Sequence, residues 1–191
     1  MTRLAALAVA VLLVGSACGG AKLVHGGSGV VTPDGRIGPL QIDVSTRADV
    51  LAFAGRDGAA LIVGKTQWPG VPEYHALGYG CPLETGPGFF ATPKGCRTVY
   101  YINARTHRLA AFSTRSPEFH TTTGIQPGME QHAADRREHQ TPQGPWNAIY
   151  ESGRDDFIIP ASCDLRNPRC HAKVAFFMLE SRKHPIGLTF T

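Results

Sequence analysis

Long hydrophobic runs are nearly absent from this 191-residue chain. Only residues 4–14 are almost continuously apolar, well short of the roughly 20 residues that cross a bilayer. Familiar catalytic signatures are missing too. There is no His-Glu-x-x-His and no Gly-x-Ser-x-Gly, which removes the zincin helix and the nucleophile elbow. No two cysteines stand two to four residues apart, so the knuckle of a structural zinc site is excluded. Charge of one sign is scarce: 19 Lys and Arg against 15 Asp and Glu give a net +4. The largest basic clusters are Arg136-Arg137 and Arg182-Lys183-His184. These are too short for a nucleic-acid surface and read as solvated faces. The eight histidines are scattered; His132 and His139, seven apart, read as surface residues, and no metal or other cofactor is implied.

Two near-matches to catalytic motifs fail on spacing or context. Between Gly58 and Gly64-Lys65-Thr66 lie five residues where a phosphate loop has four, and Trp68-Pro69 blocks the helix that must follow. Asp155-Asp156, with Glu151 nearby, reads as a turn entering a strand at Phe157-Ile158-Ile159. A catalytic pair of carboxylates would require convergence in space.

What is present begins at the N-terminus. A single positive residue, Arg3, precedes the apolar run, which ends in Gly15-Ser16-Ala17-Cys18-Gly19-Gly20. Length and flanks are those of a cleaved signal. The pattern resembles the lipobox of secreted bacterial lipoproteins, with Gly15 where a larger aliphatic residue is usual. That resemblance implies cleavage before Cys18 and diacylglycerol on its thiol. A plain secretory signal cut near Ala17 is the alternative. Residues 1–17 are thus a signal peptide, and Gly-rich residues 18–36 a lipidated flexible tether.

With Cys18 assigned to lipid, Cys81, Cys96, Cys163 and Cys170 remain, an even number suited to an oxidising compartment. Of the three possible pairings, Cys81 with Cys96 and Cys163 with Cys170 is favoured, since each closes a short local loop.

Along the chain, Thr46 and Asp49 form a capping box that starts a helix over residues 47–54, stopped by Gly55. Val50, Phe53 and Ala54, with Leu51, make its apolar stripe. Residues 59–63 are a short strand. Residues 68–95, rich in Gly and Pro, read as irregular backbone stapled through Cys81. Residues 98–103 and 109–113 form a hairpin around a turn at 104–108. The second half repeats this order: residues 125–133 align with 40–48, Cys163 and Cys170 follow, and residues 174–179 and 186–191 make a matching hairpin. Its helix, beginning near Glu130, carries only Ala133 and Ala134 as apolar residues and buries little.

Gly124-Ile125-Gln126-Pro127-Gly128-Met129 before a short helix, followed by a hairpin and duplicated, resembles the β-lactamase-inhibitor-protein and SmpA/OmlA-like repeat group. The resemblance covers residues 38–191. Departures are Asp43 where Gly128 stands in the second copy, and Glu130 where a capping Ser or Thr is expected. It implies helices packed on one face of an antiparallel sheet whose open face binds protein partners.

The expected fold is therefore α+β: two tandem helix-plus-β-hairpin units, 37–119 and 120–191, sharing one antiparallel sheet. The expected function is a lipid-anchored extracytoplasmic binding or envelope-assembly module without catalysis, attached to the bacterial cell membrane through Cys18 and engaging a protein or cell-envelope partner. A cell-envelope hydrolase and an inhibitor of a secreted enzyme are the competing readings. Trp68, Tyr74, Tyr79, Trp146 and Tyr150 lie in Pro- and Gly-rich stretches; they read either as lids covering the core or as the candidate binding residues, since Trp and Tyr anchor interfaces.

Overall fold

The computed structural model describes residues 26–56, 60–64, 73–81, 96–138, 149–152, 156–163, 169 and 171–186. Three two-residue strands come first: β1 (Gly29–Val30), β2 (Arg36–Ile37) and β3 (Leu40–Gln41). Helix α1 (Arg47–Ala54) follows, capped as its sequence dictates. The Asp49 N–H donates to Thr46 Oγ1 (3.3 Å) and the Thr46 N–H donates to Asp49 Oδ2 (2.7 Å). That backbone bond, reinforced by the Thr46 hydroxyl, holds the Asp49 carboxyl below its ordinary pKa. Gly55 closes the helix, its N–H donating to Leu51 O.

Then come β4 (Ala60–Gly64), β5 (Tyr74–Tyr79), β6 (Thr98–Asn103), β7 (Leu109–Thr114) and β8 (Phe119–His120). The second half contributes α2 (Gln131–Glu138), β9 (Ile149–Ser152), β10 (Asp156–Ile159) and β11 (Phe177–Glu180).

Seven strands form one antiparallel sheet in the order β4-β5-β6-β7-β11-β10-β9. Its middle has a symmetric register: Met178 lies opposite Ser113, flanked by Phe177↔Thr114 and Leu179↔Phe112. Outside that pair, Val99 lies opposite Ser113 and Ile158 opposite Met178.

Alternation along the strands sorts the core into two layers. One face carries Leu77, Tyr79, Tyr100, Ile102, Phe112, Phe177 and Leu179, covered by Val50 and Ala54 of α1, Ala134 of α2 and the apolar residues around β2 and β3. Aromatic rings run across it: Tyr79–Tyr100 at 5.9 Å, Tyr100–Phe112 at 5.1 Å and Phe112–Phe119 at 5.0 Å between centroids. The other face carries Ala76, Val99, Tyr101, Ala111 and Met178, all buried. The sheet centre is thus dry on both sides, and the open binding face implied by the resemblance is not found there.

Several sequence expectations are corrected. Residues 26–36 are not a flexible tether. β1 pairs in parallel with β8, Val31 is fully buried, and Gly26 O accepts the Tyr100 hydroxyl at 2.6 Å. The expected unit boundary between 119 and 120 falls inside β8. Residues 74–79, expected to be irregular, are an inner strand of the sheet. Gly78 weakens that strand locally but serves a close approach: a Cβ there would meet Cys81 Sγ at 2.7 Å and Cys96 Sγ at 2.9 Å. β11, in the first arm of the expected second hairpin, is flanked on its two sides by β7 and β10, and residues 187–191 of the expected second arm lie outside the described residues. The polar α2 does form and buries Ala134, Gln131 and Asp135; Gln131 Nε2 donates to Asp135 Oδ1 (2.9 Å) one turn on.

The Cys81–Cys96 disulfide is formed and closes the connection from β5 to β6. Cys163, in the connection from β10 to β11, is also disulfide-bonded; Cys170 lies outside the described residues.

Candidate functional site

Tyr74 and Tyr79, the two candidate aromatics whose side chains are described, do not share one surface. Tyr74 and Tyr79 sit on a single strand five positions apart, an odd separation that sends them to opposite faces. Tyr79 is fully buried, its hydroxyl donating to Gly55 O (2.8 Å), so it is a core residue and not a surface anchor. Tyr74 is half-buried and meets the edge of Tyr101 at 5.4 Å on the other face. Burial pushes the phenol of each above its ordinary pKa, most of all at Tyr100 and Tyr101, so these groups stay neutral hydroxyls. Tyr150 lies on β9, the strand at one end of the described strand order. Trp68 and Trp146, the side chain of Tyr150 and the expected lipidation residue Cys18 lie outside the described residues.

The fold does bring together a set that sequence reading misses: Asp43, Ser181 and His184. Asp43 leads into α1 with a left-handed φ of 63°, a conformation Asp tolerates better than most side chains. Its N–H donates to Leu109 O (2.8 Å). The Ser181 hydroxyl, fully buried, faces both Asp43 oxygens (2.9 and 2.8 Å). His184 Nδ1 lies 3.0 Å from Asp43 Oδ1, and the His184 N–H donates to Ser181 Oγ (2.8 Å). With a carboxylate opposite, Nδ1 carries the proton, an assignment made from the network. Beside this set, Glu180 Oε1 accepts the Ile186 N–H (2.7 Å), and the Ser181 N–H donates to Ala110 O (2.8 Å). The turn after β11 is therefore clamped at both ends.

Ser, His and Asp are the residue types of nucleophilic catalysis, but the donor order is wrong for it. A serine nucleophile gives its proton to the imidazole, and the acid orients the imidazole from behind. Here serine and imidazole both turn to the carboxylate, and no ring nitrogen is set to receive the Ser181 proton. The arrangement is a clasp joining the loop before α1 to the end of β11. Separations of 138 and 141 residues explain why no local motif announces it.

The clasp carries a stability prediction. Asp43→Ala leaves the buried Ser181 hydroxyl without its acceptor and is expected to cost about 1–3 kcal/mol. Asp43→Asn keeps an acceptor and the tolerance for positive φ, so it should cost less. Urea midpoints of the two variants decide this; equal losses would mean that an amide cannot stand in for the Asp43 carboxylate as acceptor in the clasp.

Among the described residues, no group of three or more His, Cys, Asp or Glu side chains is placed to hold a metal ion, and no helix is long and apolar enough to cross a membrane. His132 is exposed. The Lys173–Glu130 pair, 3.8 Å apart and well exposed, adds little.

No family model matches the chain, and no curated protein matches it. Among solved structures it is similar to the uncharacterized protein yfeY from Escherichia coli, with 12% sequence identity and a TM-score of 0.47 over 81% of this chain and 99% of that one.

Proposed function

We propose that this chain is a lipid-anchored, extracytoplasmic binding or envelope-assembly module without catalysis. Export is supported by the signal pattern ending at Cys18 together with the formed Cys81–Cys96 disulfide, a bond that persists in oxidising compartments. The observation that carries the binding reading over the hydrolase reading is the clasp. The convergence of Ser, His and Asp among the described residues has its hydroxyl and imidazole both turned onto Asp43.

The module is a duplication in this reading. The register centred on Ser113 and Met178 makes β7 the counterpart of β11 and β6 that of β10. Asp43 and Gly128, aligned in sequence, share a positive φ (63° and 87°), and their N–H groups donate to Leu109 O and Val174 O, both at 2.8 Å. Asp43 is thus a departure in residue type that keeps the backbone conformation. The cysteines fall outside this correspondence: Cys81 and Cys96 precede β6, whereas Cys163 follows β10. The Cys81–Cys96 bond is a local staple.

The test is affinity capture from envelope extract with the mature chain carrying Cys18→Ser, followed by analysis of what is retained. Saturable retention of one envelope component, released chemically unchanged, is expected. Conversion of that component at a rate proportional to the chain, and lost in His184→Ala, would overturn the reading in favour of a hydrolase.

A further inference from the structure

The described fold begins at Gly26, and its contacts fix which end of the sheet that is. Beyond the hydrogen bond from Tyr100, a Cβ on Gly26 would meet Thr98 Cβ at 2.9 Å and Tyr79 Cβ at 3.0 Å. Gly26 therefore rests on the last residue of β5 and the first of β6. Three arginines gather at the same end. Arg97 immediately precedes β6, and its N–H donates to Tyr79 O (2.9 Å). Arg115 immediately follows β7, and its N–H donates to Arg97 O (2.7 Å). Arg56 follows Gly55, whose carbonyl accepts the Tyr79 hydroxyl. All three side chains are exposed, and none has an ion-pair partner among the described residues. Exposed Glu118, three residues past Arg115, is the acidic group nearby in sequence.

We infer that this arginine end is a docking surface for an anionic lipid bilayer, an inference resting on the reading of Cys18 as the lipid attachment. Eight residues, 18–25, separate the attachment point from Gly26. At about 3.5 Å each they reach no more than about 28 Å, so the anchor keeps this end near the headgroups. Within a Debye length of about 8 Å at physiological salt, a basic side chain is attracted to anionic lipid, each contributing roughly fivefold to partitioning. The other end of β6 carries the 104–108 turn and, through Ser181, the basic turn after β11. Its charges lie a strand length further away, about 20 Å.

The experiment uses the mature chain with Cys18→Ser, so that acyl insertion contributes nothing, and vesicles of phosphatidylglycerol and phosphatidylcholine beside pure phosphatidylcholine. Two variants with the same net charge are compared: Arg97→Gln with Arg115→Gln, and Arg105→Gln with Lys183→Gln. Co-sedimentation with the anionic vesicles is expected to fall about 25-fold in the first and less than threefold in the second. It should vanish at 0.5 M salt, roughly a twofold shorter Debye length. Unfolding midpoints verify that both variants fold. Equal losses in the two variants, or no preference for anionic vesicles, overturns the inference. So does full competition by millimolar inorganic phosphate, which would mark a free-anion site. The anchor itself is read separately by the mass of residue 18. An unacylated Cys18 removes the anchor, and an acylated Cys18 without arginine-dependent binding removes only the docking surface.

Discussion

Cys18→Ser is expected to transfer the protein almost completely from the membrane fraction to the soluble fraction, with its fold intact. Burial of acyl chain stabilises by about 0.8 kcal/mol per CH₂, and two chains give stable attachment where one does not. No described helix can substitute, since none is long and apolar enough to cross a membrane. The arginine end cannot substitute either. Three side chains at roughly fivefold each give weak, salt-sensitive association, whereas a two-chain lipid anchor would resist salt. Fractionation in high salt separates the two contributions. Retention of the serine variant in salt-washed membranes would mean that something other than a lipid on Cys18 holds the protein.

Phe112→Ala is expected to lower the free energy of unfolding by about 3–5 kcal/mol. Phe112 is fully buried on β7, its ring 5.1 Å from Tyr100 and 5.0 Å from Phe119. It also lies opposite Leu179, so it packs where the two halves of the sheet meet. Against a typical domain stability of about 5–15 kcal/mol, such a loss brings the variant near its folding threshold at 37 °C. Tyr100→Phe is the informative contrast. It keeps the ring and removes only the hydroxyl bound to Gly26 O, for about 1 kcal/mol. Denaturant midpoints at constant m-value measure both. A loss under 1 kcal/mol for Phe112→Ala would show that this layer is not the core that joins the halves.

Local chemistry is legible in the sequence where it is self-contained. The Thr46–Asp49 box, Gly55 and the hairpin of β6 and β7 each depend on residues a few positions apart, and each stands as expected. The Cys81–Cys96 pair follows from loop length and is formed. Long-range features are hidden or misleading. β5 is obscured because Gly78 and the surrounding prolines read as loop, whereas the glycine makes room for a disulfide. Residues 26–36 look like linker because Gly and Pro supply turns as readily as they supply freedom; only the partner strand β8 distinguishes the two. The polar α2 shows no apolar stripe because its buried face is Gln131, Ala134 and Asp135. The clasp depends on residues at opposite ends of the chain, and no period or spacing encodes it.

The central claim is an exported domain held to the membrane by a lipid on Cys18. Intact-mass and N-terminal peptide analysis of the protein from its native membrane tests it most directly. The account predicts a mature chain lacking residues 1–17, beginning at Cys18 with diacylglycerol on its thiol. A chain that begins at Met1, or one carrying a free thiol at Cys18, would contradict it.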